Sequence, residues 1–203
     1  PKAKHYAAIL EPKDLGGLLR AIQDYTGNFI TRYALLIAPH VFVRPGELRH
    51  ADWKEIDLEE GVWRIPEGKM KARRPHAVPL STQVVGYLKE LAEMVGTEGY
   101  VFPSARASVR PMSENTLNAA FRRMGFTKDE VTAHGLRATA STMLNESGLW
   151  SPDAIERGLA HGDSNAVRGV YHRGKHWDER VRMAQWWSDY LDTIRDGGKI
   201  ISM

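Results

Sequence analysis

The sequence is 203 residues long, which fits one globular domain and is too short for two full ones. Hydrophobic residues make up 42% and charged residues 26% of it, ordinary values that exclude a disordered polyelectrolyte. The net charge of +3 permits a polyanionic partner without requiring one, and the absence of cysteine excludes a disulfide scaffold, a thiolate nucleophile and a cysteine zinc site.

The chain carries no sequence signal for a membrane. No apolar run approaches the roughly 18 residues of a membrane span, and the longest such run is broken at Pro39. The N-terminus has no charged segment followed by an apolar signal core. We therefore expect a soluble protein that works inside the cell.

The N-terminal segment differs in composition from the rest. Residues 1–13 hold two prolines and three lysines before any helical period begins, as is typical of a linker that enters a domain. The first residue is Pro1 rather than Met, which favours a fragment of a longer protein. We interpret 1–13 as a linker and 14–203 as one domain.

Helical periodicity dominates the next part of the chain. Apolar residues from Leu15 to Ile22 recur at helical spacing and predict an amphipathic helix that ends near Gly27. The more apolar segment 28–39 predicts a second, buried helix. The R-P-G-E-L segment that begins at Arg44 predicts a short third helix with proline at an early position.

Strand-like residues are concentrated in the middle of the sequence. Segments 53–58 and 62–65, joined by a turn that contains Gly61, predict a hairpin, and 76–80 predicts a third strand. Between the second and third strands lies the segment 69–74, with four basic residues in six.

The remainder is predicted to be helical. Ser81 is placed to cap a helix that ends at Gly96, and Ser113 to cap another that ends at Gly125. Four further helical segments follow, at 132–145, 151–162, 164–172 and 178–197. The predicted fold class is therefore α+β, mainly helical with a small three-stranded antiparallel sheet.

Several enzyme classes lack their motifs. The sequence contains no H-E-x-x-H, G-x-S-x-G, G-x-x-x-x-G-K-[ST] or strand-following G-x-G-x-x-G. This removes the sequence support for a metalloprotease, a serine esterase, a nucleotide hydrolase and a dinucleotide-binding enzyme. What remains is a set of cationic side chains near turns and helix starts, followed by a tyrosine: Arg44, Lys71, His134, Arg137, His161 and Tyr171.

The order and spacing of these residues resemble the catalytic domain of the tyrosine recombinases, and within them the phage and prophage integrases. The features that match are R-P-G-E-L, a lysine in a hairpin loop, H-G-L-R, L-A-H and a tyrosine ten residues further on. The resemblance extends from about Leu15 to Leu191. It implies the fold predicted above and a DNA strand transferase that needs no metal or other cofactor.

The chemistry of such an enzyme explains why these residue types occur together. Attack on a phosphodiester gathers negative charge on the nonbridging oxygens, which fixed cations can stabilise. Arginine suits the task because its paired donors match two phosphate oxygens, so Arg44 and Arg137 are expected to clamp the scissile phosphate. The resemblance gives His134 a role in removing the nucleophile's proton and His161 a hydrogen bond to the phosphate.

The resemblance also assigns the nucleophile and the general acid. Tyr171 would attack the phosphate and form a 3′-phosphotyrosyl link, releasing a 5′-hydroxyl. The departing alkoxide needs a proton, which the family takes from a lysine in the strand-joining loop. Lys71 is the expected acid because it directly precedes the basic stretch that leads into the third strand, and Lys69 is the alternative.

Other charged residues receive smaller roles. Glu47 is expected to orient a basic neighbour, and His76 and His172 are not expected to be catalytic. The candidate contacts to the DNA backbone are Lys69, Arg73, Arg74, Arg106, Arg110, Arg122, Arg123 and Arg173.

The apolar stripe of the last helix, Met183, Trp187, Tyr190 or Leu191, and Ile194, predicts intramolecular core. The resemblance leaves open an exchange of this segment with a neighbouring protomer, and cleavage in cis or in trans.

The expected partners follow from the resemblance. They are double-stranded DNA at attachment sites and further copies of the chain, as a tetramer on DNA and as a monomer for an isolated domain. The expected location is the bacterial cytoplasm, on the nucleoid. Two rivals remain open: a type IB topoisomerase-like enzyme that nicks and reseals one strand, and a catalytically silent DNA-binding or directionality factor with the same fold.

Overall fold

The computed structural model describes residues 7–71, 73–161 and 176–198, and most of them are helical. The helices are α1 (Pro12–Gln23), α2 (Phe29–Ile37), α3 (Pro45–Arg49), α4 (Thr82–Val95), α5 (Thr116–Arg123), α6 (Gly135–Ser147), α7 (Pro152–Gly158) and α8 (Trp177–Arg195). The strands are β1 (Ile56–Asp57), β2 (Val62–Ile65), β3 (His76–Pro79), β4 (Pro103–Ser104) and β5 (Ala107–Pro111).

The three predicted strands form one antiparallel sheet in the order β1-β2-β3. The first is shorter than the predicted 53–58, because Trp53–Glu55 form a 3-10 helix capped by Asp52. Ile56 and Val78 both lie opposite Trp63, one on each side of it, which fixes the register of the sheet. This confirms the predicted fold class. The structure adds a separate hairpin, β4 with β5, that the sequence analysis did not predict. Its strands are short and contain no buried residue, so they lack the buried alternation that marks a strand in a sequence.

Helix α8 closes the core against α1. Four residues of its predicted apolar stripe, Met183, Trp187, Leu191 and Ile194, are all buried within this chain. Trp187 is 1% exposed, and its indole nitrogen donates to the carbonyl of Pro39 at 2.8 Å. The described part of the stripe therefore packs inside its own chain, as the sequence predicted.

The described part of the N-terminal segment packs on α6. The amide of Ile9 donates to the Thr139 hydroxyl at 3.1 Å, and the side chain of Ile9 is buried. The hydroxyl of Thr132 donates to the carbonyl of Ala7 at 3.4 Å. Since α1 begins at Pro12, residues 7–11 connect these contacts directly to the first helix.

Several predicted helix boundaries are wrong. The helix expected to begin after Ser113 begins at Thr116, and the one expected from Thr132 begins at Gly135. The helix expected to end near Gly27 ends at Gln23, and the one expected to continue to Gly162 ends at Gly158. The predicted helix at 164–172 lies outside the described residues. Among the described helices, none has the length and apolar character to cross a membrane.

Candidate active site

Arg44 is held at the start of α3 by a carboxylate three residues away. It is the N-cap of the helix, and its backbone amide donates to Glu47 Oε2 at 2.7 Å. Its guanidinium Nη1 donates to Glu47 Oε1 at 2.9 Å. Glu47 is 5% exposed, whereas the Arg44 side chain keeps 24% exposure. The buried carboxylate therefore orients a cation that still reaches solvent, as expected for Glu47.

Arg137 lies in the first turn of α6 and joins two other parts of the chain. It is 6% exposed, and it donates to the carbonyl of Phe42 and, at 2.7 Å, to that of Leu159. Phe42 precedes Arg44 by two residues, and Leu159 follows α7. The guanidinium is thereby fixed between the chain that enters α3 and the chain that leaves α7.

His161 lies beside Arg137 and is oriented by α7. Its Nδ1 lies 2.8 Å from Glu156 Oε2, and its Nε2 lies 3.3 Å from Arg137 Nη2. A guanidinium only donates hydrogen bonds, so Nε2 accepts here and Nδ1 carries the proton donated to Glu156. The preceding residue, Ala160, has φ of 51°, a left-handed conformation that turns the chain out of α7.

The charges of the site act on His134, the N-cap of α6. Burial lowers the pKa of His134, and the neighbouring charges of Arg137, Arg44 and Lys71 lower it further. Burial also lowers the pKa of Arg137 to about 10, with Arg44 as the next contributor. Arg44 and Arg137 are far apart in the sequence, yet Arg137 binds the carbonyl two residues before Arg44, and the charges of both guanidinium groups lower the pKa of the same imidazole.

His76, at the start of β3, lies in the same environment. Burial and the charge of Arg180 lower its pKa to about 3, with smaller contributions from Arg137 and Arg44. Among the described residues, its buried Nε2 has no hydrogen-bond partner. That His76 is not catalytic stays a prediction.

Two expected site residues cannot be placed. Tyr171 and Arg173 lie outside the described residues. Lys71 is described and exposed, and its charge contributes to the lowered pKa of His134. Direct contacts join Arg137 to His161 and to the carbonyl two residues before Arg44. The charges of Arg137, Arg44 and Lys71 act on His134.

The candidate DNA contacts fall into two groups. Lys69 and Arg122 are engaged within the chain, Lys69 with Glu55 and with the carbonyl of His50, and Arg122 with the carbonyl of Val131. The others among the described residues are exposed: Arg73, Arg74, Arg106, Arg110 and Arg123. No cluster of three or more side chains suited to bind a metal ion occurs in the described ranges.

The sequence pattern that defines the phage integrase family matches residues 8–176. The chain belongs to the phage integrase family. Putative protein IntB of Escherichia coli K12 is 42% identical over 207 residues, which cover 95% of this chain and 52% of that protein. The integrase of Enterobacteria phage P4 is 42% identical over 216 residues, covering 100% of this chain and 48% of the phage protein.

A solved structure shares the fold of this chain. The integrase of the transposon Tn1549, solved in complex with a circular intermediate DNA, superposes with a TM-score of 0.59 at 15% identity, covering 89% of this chain and 67% of that one. At that identity the likeness shows the fold. The predicted family and fold are both confirmed, and this integrase-family chain spans about half the length of the curated relatives it matches.

Proposed function

We propose that this chain is the catalytic part of a site-specific DNA recombinase that cleaves and rejoins strands for the integration and excision of mobile DNA. One observation carries the proposal: Arg137 of α6 binds the carbonyl of Phe42, two residues before Arg44 at the start of α3, so two cations from different helices lie at one site. Glu47 offsets part of the repulsion between these two like charges, and an anion bound between them would offset more of it. A DNA phosphate is the anion we propose, since the transposon Tn1549 integrase, which shares this fold, was solved in complex with DNA.

The two guanidinium groups stabilise the charge that develops on the phosphate. Arg137 is fixed by carbonyl groups and Arg44 by a buried carboxylate, so little reorganisation is needed when the transition state forms. Such fixed cations supply the charge stabilisation that a metal ion supplies in other enzymes. His161, oriented by Glu156, adds a further polar atom beside Arg137.

Tyr171 is the proposed nucleophile. Its oxygen bonds to phosphorus, and the bond from phosphorus to the 5′ oxygen breaks, leaving a 3′-phosphotyrosyl link. The lowered pKa of His134 keeps its imidazole neutral near pH 7, the form that can take the phenol proton. Lys71 protonates the departing 5′ oxygen. A 5′-hydroxyl from another strand reverses these steps, so no ATP is consumed.

The partners follow from this chemistry. Double-stranded DNA at attachment sites is the substrate, and strand exchange between two duplexes requires several copies of the chain, for which a tetramer on DNA is the proposed assembly. DNA as substrate also places the protein in the bacterial cytoplasm, at the nucleoid.

The test is covalent trapping on a nicked DNA substrate. Cleavage next to the nick releases a short strand, so the protein stays attached to DNA as an adduct that survives denaturing detergent. Wild-type protein is expected to form the adduct with or without a chelator. Tyr171→Phe is expected to abolish it while DNA binding is retained. An adduct with Tyr171→Phe, or a complete loss of activity with chelator, contradicts the proposed mechanism.

A further inference from the structure

The segment that carries Lys71 is fastened to the core immediately before that lysine. Lys69 Nζ lies 2.5 Å from Glu55 Oε1 and donates to the carbonyl of His50 at 2.7 Å. Met70, the next residue, is 5% exposed. The amide of Arg73 donates to the carbonyl of Met70 at 3.0 Å and closes a turn in which Lys71 directly follows Met70. Lys71 therefore leaves the core at an anchored position.

Glu55 is an unusual partner for a loop lysine because it is buried. Its side chain is 4% exposed, against 28% for that of Lys69. Its other oxygen, Oε2, accepts from the indole nitrogen of Trp63 at 3.1 Å. A buried carboxylate that keeps its charge requires a cation and further hydrogen bonds, and Glu55 has both. The pair is therefore a fixed contact rather than a loose surface ion pair.

The anchor also connects Lys71 to Arg44. His50 is the C-cap of α3 and Arg44 is the N-cap of the same helix. By binding the carbonyl of His50, Lys69 attaches the Lys71 segment to the opposite end of the short helix that starts with Arg44. The separation between Arg44 and Lys71 is thus set by the short helix α3 and by the contacts of Lys69 with the His50 carbonyl and with Glu55.

We propose that Lys69 and Glu55 are positioning residues that hold Lys71 at the leaving-group oxygen of the cleaved strand, and that Lys69 is not itself the proton donor. This rests on the function proposed above. The proton transfer is the one in that mechanism: Lys71 gives its proton to the 5′ oxygen as the bond to phosphorus breaks. Lys69 takes no part in the transfer because its ammonium group is bound to Glu55 and to the carbonyl of His50.

The experiment compares two nicked substrates, one with an ordinary phosphodiester and one with sulfur at the bridging 5′ position. A thiolate leaves without protonation, so sulfur removes the need for the general acid. Glu55→Gln removes the anchor's charge while it keeps a polar group for Trp63 and leaves both lysines in place. Misplacement of Lys71 by about 1 Å is expected to slow adduct formation on the oxygen substrate ~10- to 100-fold, with near wild-type rates on the sulfur substrate.

Three variants complete the design. Lys71→Ala is expected to show the same rescue by sulfur, and Lys69→Met, which breaks the anchor from the other side, is expected to repeat the result of Glu55→Gln. Lys54→Met is the matched control, because Lys54 is an exposed lysine that lies 3.5 Å from Asp52. This variant is expected to cleave both substrates like the wild type. Thermal unfolding of each variant identifies any that fails to fold, in which case the other anchor variant decides.

The outcomes separate the two proposals. Equal slowing of Glu55→Gln on both substrates, or no slowing on either, overturns the positioning role while the recombinase function stands. Rescue of Lys69→Met without rescue of Lys71→Ala also overturns it, because Lys69 is then the acid. No adduct from the wild type overturns the proposed function and this inference together.

Discussion

Arg137 shows how a buried charge is prepared for its task. Removing a guanidinium from water is costly, and burial accordingly lowers its pKa to about 10. The carbonyl groups of Phe42 and Leu159 offset part of that cost. Because both are backbone groups of the segments beside Arg44 and His161, the same contacts that stabilise the charge also position its neighbours.

A buried histidine outside the candidate active site, His40, gives a testable pH dependence. His40 is 6% exposed, and its Nδ1 lies 2.9 Å from the Ser188 hydroxyl, which donates to Ser81 at 2.8 Å. Burial lowers the pKa of His40 to about 4. The imidazole of His40 is protonated below about pH 6.5 in the unfolded chain, whereas in the folded chain it stays neutral until the pH approaches 4. The contribution of His40 to the free energy of unfolding is therefore fully present above pH 6.5 and falls by ~3 kcal/mol as the pH is lowered towards 4.

Urea denaturation between pH 7 and pH 4 measures this effect. His76 contributes in the same direction, since its pKa is lowered to about 3. The comparison is therefore between the wild type and His40→Asn, whose amide can still bond to Ser188. The slope of the free energy of unfolding against pH is expected to be smaller in the variant than in the wild type, by up to ~1.4 kcal/mol per pH unit, which corresponds to one proton. An unchanged slope contradicts the assignment to His40.

At the level of single residues, the sequence identified side chains but not their contacts. Arg44, Arg137, His134 and His161 could be singled out by type and order. The position before the basic stretch favoured Lys71 over Lys69 as the acid, and that choice stays a prediction. The contact between Lys69 and Glu55, a carboxylate in a different element, was not predicted. Such long-range pairs leave no local pattern in the sequence.

At the level of elements, helices α1 and α8 approach each other closely at one glycine. A Cβ on Gly16 would lie 2.5 Å from the carbonyl oxygen of Ile194, whereas a Cβ on Gly17 would meet only the end of the Arg20 side chain, at 4.0 Å. Gly16→Ala is expected to destabilise the fold by ~1–3 kcal/mol. Gly17→Ala, the matched control in the same helix, is expected to stabilise it by ~0.5–1 kcal/mol. Urea midpoints measure both, and equal effects contradict the close packing.

Both ends of helix α4 were predicted from capping residues within its own segment. Helix α4 begins after Ser81, whose hydroxyl accepts from the amide of Val84, and it ends at Gly96 as predicted. Helix α7 ends earlier than predicted, at Gly158, since the chain turns at Ala160 and the Leu159 carbonyl is bound by Arg137. A helix end set by a distant arginine cannot be predicted from its own segment.

At the level of the whole molecule, the exposed arginines outside the active site predict how DNA affinity depends on salt. Arg106 and Arg110 belong to the β4–β5 hairpin and are exposed. If each neutralises one phosphate, replacing either with alanine lowers the slope of log affinity against log salt by ~0.9. Fluorescence anisotropy of labelled duplex DNA at several salt concentrations measures the slope.

The control for that titration is an exposed arginine that already has a partner. Arg64 lies 3.3 Å from Asp57 and keeps 58% of its side chain exposed. Arg64→Ala is expected to leave the slope unchanged. A slope unaffected by Arg106→Ala and by Arg110→Ala shows that the hairpin does not contact the DNA backbone.

The central claim is that Arg44 and Arg137 act on the charge of one phosphate. The most direct measurement is adduct formation by Arg44→Ala on two nicked substrates, one with a normal scissile phosphate and one with a methylphosphonate, which lacks the negative charge. Loss of a cation that stabilises the transition state is expected to slow cleavage of the phosphate ~100-fold or more, with a much smaller loss on the neutral substrate. Equal losses on both substrates contradict the claim.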